Sequence, residues 1–496
     1  MKGIIFGVED TSAPKRQGGA HRIATFLREH DWDIEVIDFT LWWSLDELKA
    51  LAKSRFDKDT KWIGVSSLFT DTKLGTFGEF LVWVKITYPD IKTIFGSQVK
   101  LPKQYSFIDY NINGFGEHAL LVLLKYLFSN GDSPKFSMFL NSGRNIPANE
   151  YYPSYPMKSL MIKYEDRDFI QSYEWLSVEF ARGCKFSCDF CNFPVIGVKG
   201  DYTRDADDFR LHMMDAYDRF GVQYYAVSDE TFNDRTAKIT KFADVVETLP
   251  FAPFFTGFIR ADLLISRKNE KEELLRMGFL GQFYGVETFN HETGKSIGKG
   301  MHPDKIKQGL IDIKNYFKSH GNNYYRGYIS LIAGLPHETM ESLDVTKQWL
   351  LDNWKGESFS VFALEIPISE YDYPSSISMN YKKYGYKDAS GDADVQNLKD
   401  DYNRYNIITD VLLWKNEHMS VRDAARIAKD IEWIRDNPAS SYNAKVPNFS
   451  LVDLGLPDNL EDRLSVDFQY IFSSNTIRTN TLNTRIKDYI QKKLGL

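Results

Sequence analysis

The feature that most limits how this chain can fold is an alternation of short apolar runs with helical patterns, which occurs twice. The first set comprises Gly3–Val8 (GIIFGV), Asp33–Phe39 (DIEVIDF), Trp62–Leu68 (WIGVSSL), Ile91–Gly96 (IKTIFG) and Phe107–Gly114. Between them, Ala20, Ile23, Ala24 and Leu27 recur at helical spacing, as do Leu74, Phe77, Leu81 and Val84. Parallel strands need crossover helices, so five such units predict a doubly wound parallel sheet over residues 1–130. Sheets of this kind bind ligands beyond the carboxyl ends of their strands. Those ends are the loops Glu9–Gly19, Ser66–Lys73, Gly96–Val99 and Gly114–Glu117, the first two side by side at the expected switch point.

The second set begins near Leu176 and runs through LSVEFARG, YYAVSD, PFFTGF, GQFYGVE, YRGYISLIAG and SFSVFALEI. Six βα units predict an incomplete parallel barrel over 173–367, with its chemistry on loops at the carboxyl ends of the strands. Residues 131–172, rich in Pro, Tyr and Ser, read as a linker. Residues 368–496 read as a tyrosine-rich loop followed by helices, a mostly helical region expected to cover the barrel mouth. The fold class is α/β throughout.

Composition narrows the function. A net charge of −7 excludes a general electrostatic grip on nucleic-acid backbones. The closing segment NTIRTNTLNTRIKDYIQKKL is locally basic and reads as a solvated helix that offers contact to a phosphate. No apolar run is long enough to cross a membrane, and the opening strand meets Glu9 and Asp10 too early for a secretory leader. A cytoplasmic protein with no membrane partner is expected.

All three cysteines of the chain, Cys184, Cys188 and Cys191, fall within eight residues, in ARGCKFSCDFCNFP after the first barrel strand. An odd, clustered set is no disulfide framework and points to metal chemistry. A structural zinc site needs a fourth ligand, and the nearest histidines in sequence are His118 and His212. A cubane [4Fe–4S] cluster is normally held by four thiolates, so three would leave one iron open to another ligand.

This Cys-x₃-Cys-x₂-Cys loop, with aromatic Phe190 just before its last cysteine, resembles that of the radical S-adenosylmethionine (radical SAM) enzymes. The resemblance implies an open iron that chelates S-adenosylmethionine. Reductive cleavage of the sulfonium C–S bond then gives a 5′-deoxyadenosyl radical, which abstracts hydrogen from an unactivated carbon. Carried over residue by residue, it implies that Ser228, Asp229 and Glu230 accept the ammonium of the cofactor. Glu287 meets the ribose, Lys299 of GKG pairs with the carboxylate, and Gly334 of GLPHET lets backbone approach the adenine. Arg260 stands at the third strand end with them. An external electron donor of the flavodoxin or ferredoxin type is implied as partner.

The closest branch places a cobalamin-binding-type domain before the barrel, and GFGEHALLVLL resembles its Gly-x-Gly-Glu closing turn. The branch's Asp-x-His-x-x-Gly motif, which supplies a histidine beneath cobalt, is absent, and His21 reads as a core or surface residue. The N-terminal domain is then either a cobalamin site supporting methyl transfer or a retained scaffold in a cobalamin-free enzyme of rearrangement, cyclisation or nucleotide modification. A non-catalytic zinc scaffold is the reading from a different class. With no further cysteine in the chain, subclasses that carry a second cluster or a methyl-carrier cysteine are excluded. The substrate stays open among small molecules, peptides and nucleotides.

Overall fold

A computed structural model describes residues 1–8, 16–67, 74–98, 107–135, 138–140, 143–320, 325–368, 374–392, 395, 411–436 and 475–496. Two mainly parallel sheets organise it. In the first, β1 (Lys2–Val8) lies between β2 (Asp33–Ile37) and β3 (Thr60–Ser67) and runs parallel to both. Beyond β3 come β4 (Lys92–Ser97) and β5 (Tyr110–Asn113). The expected linker adds β6 (Met138–Leu140) and β7 (Gly143–Pro147), and β7 pairs in parallel with β5. The order is β2-β1-β3-β4-β5-β7-β6. Direction of winding therefore reverses between β1 and β3, the switch point read from the sequence.

Side chains alternate across this sheet with period two. Ile4, Phe6 and Val8 enter one core with Trp43, Leu48, Phe77 and Phe80, while Ile5 enters the other with Ala24, Leu27, Leu120 and Leu124. The covering helices are α1 (Gly18–Arg28), α2 (Leu45–Arg55), α3 (Gly75–Thr87) and α4 (Glu117–Phe128). A capping box starts α2: the Ser44 hydroxyl accepts from the Glu47 amide, and the Glu47 carboxylate accepts from the Ser44 amide.

The closing segment departs from its expected solvated state. It forms the helix Asn475–Leu494, and Ile486, Tyr489 and Ile490 lie in the same core as Ile4 and Phe6. Their spacing makes one apolar stripe, which the surrounding lysines and arginines disguise in the sequence.

The second sheet introduces β8 (Trp175–Val178), β11 (Tyr224–Val227), β12 (Phe254–Ile259), β13 (Phe279–Glu287), β14 (Arg326–Ala333) and β15 (Ser358–Ala363). A small antiparallel pair, β9 (Ala181–Arg182) with β10 (Tyr202–Thr203), lies between the first two in sequence. The six-stranded order is β15-β14-β13-β12-β11-β8, sequential as a partial barrel requires. Phe255, Tyr284, Ile329 and Val361 are buried. On the opposite face Phe258, Phe283 and Tyr328 stand in register, their ring centroids 4.8 and 4.6 Å apart. The helix Val421–Asp436 packs on β15 and β14, and 369–373, 393–394, 396–410 and 437–474 of the expected C-terminal cover lie outside the described residues.

By internal contacts the chain forms two units. One comprises Met1–Arg182, Tyr202–Tyr224 and Thr479–Leu496, the other Gly183–Asp201 and Tyr225–Arg478. Inside the first, Glu117 accepts from Arg182 at 2.5 Å and lies 3.6 Å from Arg22, all three buried. Among the described residues no helix is long and apolar enough to cross a membrane.

Candidate functional site

The cysteine loop opens directly after β9. Its backbone closes on itself: the Cys184 amide donates to Val198 O at 3.1 Å, the Gly200 amide to Cys184 O at 3.2 Å, and the Cys191 amide to Cys188 O at 3.1 Å. The three thiols are partly exposed and unbridged. Burial pushes the Cys191 thiol up to about 11; the Phe193 amide opposes this, while Cys188, Cys184 and Glu287 add to it. Ionising these groups side by side is thus costly, a cost that a bound cation would relieve. Among the described residues no three His, Cys, Asp or Glu side chains converge on a single-ion position. A structural zinc site takes four ligands, whereas a cubane meets its thiolates at separate irons and three thiolates leave one iron open. The donor set fits the cluster.

Several residues expected from the sequence meet at this loop. The Arg260 guanidinium donates to Cys188 Sγ at 3.4 Å and lies 3.9 Å from the Phe186 ring centroid. Asp262 fixes it with bonds of 2.7 and 3.1 Å. Lys299 Nζ lies 5.8 Å from the Phe190 ring and 3.6 Å from Glu287 Oε1, and donates to Gly285 O at 2.6 Å. Burial raises the Glu287 carboxyl against the pull of Lys299 and Arg260.

Glu287 has φ +70°, a strained conformation for a non-glycine residue, where the register between β13 and β14 shifts. Its carboxylate folds back over Gly285, where a Cβ would lie 2.6 Å from Oε1. Glycine at 285 is what leaves room for that carboxylate.

Gly334 ends β14 at φ +93°, and a Cβ there would meet the Trp414 ring at 2.5 Å. Its amide donates to Glu338 Oε2 at 2.8 Å, and its carbonyl accepts from the Tyr386 hydroxyl at 2.7 Å. Glu338 also accepts from Thr288 at 2.9 Å, so it braces the ends of β13 and β14 together. Burial raises this carboxyl to about 7. Glu338 lies within the GLPHET segment, whose spacing carries no signal of this brace.

The trio Ser228, Asp229 and Glu230 is divided. Ser228 is exposed, Glu230 half-buried, and buried Asp229 lies 3.7 Å from Lys238, which is also 2.7 Å from Asp234. The contact to the cysteines at this strand end comes from Thr231, whose Oγ1 is 3.8 Å from Cys184 Sγ. A lone threonine after an acidic run gives no sequence signal of such a role.

The loops expected to bind a ligand in the first unit are described only in part, since 9–15, 68–73 and Val99 lie outside the described residues. His21 is fully buried in α1, its Nε2 3.0 Å from Asp38 Oδ2, and so belongs to the core.

Residues 178–350 match the family model of the radical SAM superfamily. No curated protein matches the chain. The chain is similar to the radical S-adenosylmethionine methyltransferase TsrM from Kitasatospora setae, solved with cobalamin and a [4Fe–4S] cluster. There the identity is 13% and the TM-score 0.68 over 97% of this chain and 99% of that one. TsrM with tryptophan substrate and a SAM analogue gives 15% and 0.61, over 79% of each chain. OxsB, a cobalamin-dependent S-adenosylmethionine radical enzyme solved with aqua-cobalamin and S-adenosylmethionine, gives 14% and 0.59, over 99% of this chain and 78% of that one. At such identities the likeness is one of fold. Residues 178–350 thus match the radical SAM superfamily's domain, and the chain as a whole has an α/β fold similar to those of TsrM and OxsB.

Proposed function

We propose that this enzyme cleaves S-adenosylmethionine at a [4Fe–4S] cluster held by Cys184, Cys188 and Cys191 and uses the radical to abstract hydrogen from an unactivated carbon. The observation that carries the reading is the convergence of Arg260, Glu287 and Lys299 on the cysteine loop at the carboxyl ends of a six-stranded parallel sheet. When bound, the reduced cluster supplies one electron to the sulfonium, giving methionine and a 5′-deoxyadenosyl radical. The chain's own residues bind and orient. Arg260 stabilises the Cys188 thiolate, and Lys299 offers its ammonium to the cofactor carboxylate. Glu287 receives the ribose hydroxyls, and exposed Ser228 and half-buried Glu230 supply acceptors for the ammonium. Gly334, its amide and carbonyl engaged and its open face packed on Trp414, shapes the turn after β14 and offers the adenine no free backbone group, while Phe258, Phe283 and Tyr328 form an apolar floor that excludes water.

The functional segments are 1–130, 131–172, 173–367 and 368–496, the last returning its closing helix to the core of the N-terminal sheet. An external reductant of the flavodoxin or ferredoxin type delivers the electron, in a cytoplasmic setting.

Losing a charge-assisted hydrogen bond in a buried site costs about 1.5–3 kcal/mol. Glu287→Ala and Lys299→Ala are each expected to weaken S-adenosylmethionine binding by roughly 10- to 100-fold, read by isothermal titration, with iron content unchanged. Normal binding by both variants would remove the strand-end assignment.

The switch point between β1 and β3 carries the second half of the reading, a cobalamin site that enables methyl transfer. His21 is committed to Asp38, so cobalamin there is bound without that histidine beneath cobalt. Hydroxocobalamin added to cluster-loaded enzyme should co-elute in gel filtration with an altered visible spectrum. Failure to retain it beside an intact cluster would favour the cobalamin-free enzyme, with the N-terminal sheet as scaffold.

A further inference from the structure

The helix Asn475–Leu494 does more to the first sheet than fill its core. Two of its polar side chains are buried there, Tyr489 at 4% and Lys493 at 1% exposure. A buried ammonium is costly unless paired. Lys493 donates to Val36 O at 2.8 Å and lies 3.3 Å from Glu35 and 3.9 Å from Asp168. The Tyr489 hydroxyl accepts from the Asp38 amide at 2.9 Å. Both contacts fall at the carboxyl end of β2, beside β1.

Asp38 passes the restraint onward. Its carboxylate takes Arg16 at 2.6 Å and His21 at 3.0 Å, and these two overcome burial and hold it well below the usual carboxylate range. Arg16 is bound on its other side by Glu174 at 2.5 and 3.0 Å. Its guanidinium also lies 5.1 Å from the Tyr489 ring and 5.4 Å from the Phe39 ring. Arg16 stands two residues before α1, whose start follows the carboxyl end of β1 at the switch point.

We propose that Tyr489 and Lys493 are positioning residues for the ligand-binding end of the N-terminal sheet: through Asp38 and Arg16, the C-terminal helix fixes the entry into α1 where cobalamin binds. The inference rests on the cobalamin reading above for its ligand, and on the geometry alone for the restraint.

The test uses full-length, cluster-loaded protein. Tyr489→Phe deletes the hydroxyl and keeps the ring, Tyr489→Ala deletes both, and Lys492→Ala alters an exposed neighbour on the same helix. Hydroxocobalamin affinity, amide hydrogen exchange at Gln17–His21 and Asp38, and iron content are measured on each. Losing the hydroxyl should weaken hydroxocobalamin binding roughly tenfold and accelerate exchange at those amides, since a buried bond of this kind contributes about 0.5–1.5 kcal/mol. The alanine variant should exceed that, while Lys492→Ala matches wild type and iron content stays constant throughout. Unchanged exchange and affinity in Tyr489→Ala would make the helix a core filler and overturn the proposal. If wild type retains no hydroxocobalamin the cobalamin reading fails, and the exchange results alone decide whether the helix holds α1.

Discussion

Serine in place of any one of Cys184, Cys188 and Cys191 is expected to bring reductive cleavage of S-adenosylmethionine down to background, a loss of about a thousandfold or more. Two thiolates cannot hold a cubane that three hold with one iron left open, and a serine hydroxyl is a poor replacement for a thiolate. Reconstituted wild type should contain about four irons per chain, and each variant distinctly fewer. Addition of S-adenosylmethionine should perturb the EPR signal of the reduced wild-type cluster only. Because all three cysteines are partly exposed, the substitutions should change folding stability by only about 0.5 kcal/mol, so circular dichroism should match wild type. A variant that keeps four irons and normal 5′-deoxyadenosine formation would defeat the cluster assignment, as would stoichiometric zinc in anaerobically prepared wild type.

The largest expected effect on stability is at Glu117, the acid of the GFGEH turn. Burial alone would raise its carboxyl, yet Arg182 and Arg22 bring it down to about 2. Glu117→Gln keeps the shape and removes the charge, leaving two buried guanidinium groups short of their shared partner. Breaking a buried pair from one side costs about 3–5 kcal/mol. In a unit of this size that lowers the melting temperature by about 6–20 °C at pH 7. The folded-state value lies below the unfolded one, so the contribution is complete above the ordinary carboxyl range and lost as pH falls towards 2. The gap between wild type and variant should therefore narrow in acid. Thermal denaturation at pH 7 and pH 3 checks both statements, and a difference under about 2 °C at pH 7 would show that Glu117 carries little.

Local patterns told the most about this fold. The runs at Gly3–Val8, Trp62–Leu68 and Ile91–Gly96 became strands within two residues at either end, because apolar period and crossover helices are properties of neighbouring residues. The six-unit barrel and the switch point followed from the same logic. Contacts between distant segments were harder to read. Residues 131–172 gave two strands to the first sheet, although β6 and β7 are too short to show a period. Lys493 belongs to an interior site only because Glu35 and Asp168 lie there, which its own neighbours do not reveal.

The site divides in the same way. The cysteine spacing was legible, and Arg260, Glu287 and Lys299 followed from their strand ends and do meet at that loop. Asp229 was expected to face the cofactor and is paired with Lys238 instead. Thr231 and Glu338 went unnoticed because their roles, a contact to a thiol and a brace between strand ends, have no spacing signature.

The bond from Asp38 to Tyr489 spans 451 residues, and that separation has a consequence for biosynthesis. At the usual 5–20 residues per second, about 20–90 s pass on the ribosome between the emergence of β2 and that of its last core partner. Throughout that interval the part of the first sheet's core that receives Ile486, Tyr489 and Ile490 is uncovered. A nascent chain of this protein should therefore engage chaperones through this sheet until the helix Asn475–Leu494 has emerged. A premature stop before Tyr489 should leave that part of the core open and mark the product for degradation, so that only chains carrying this helix persist in the cell.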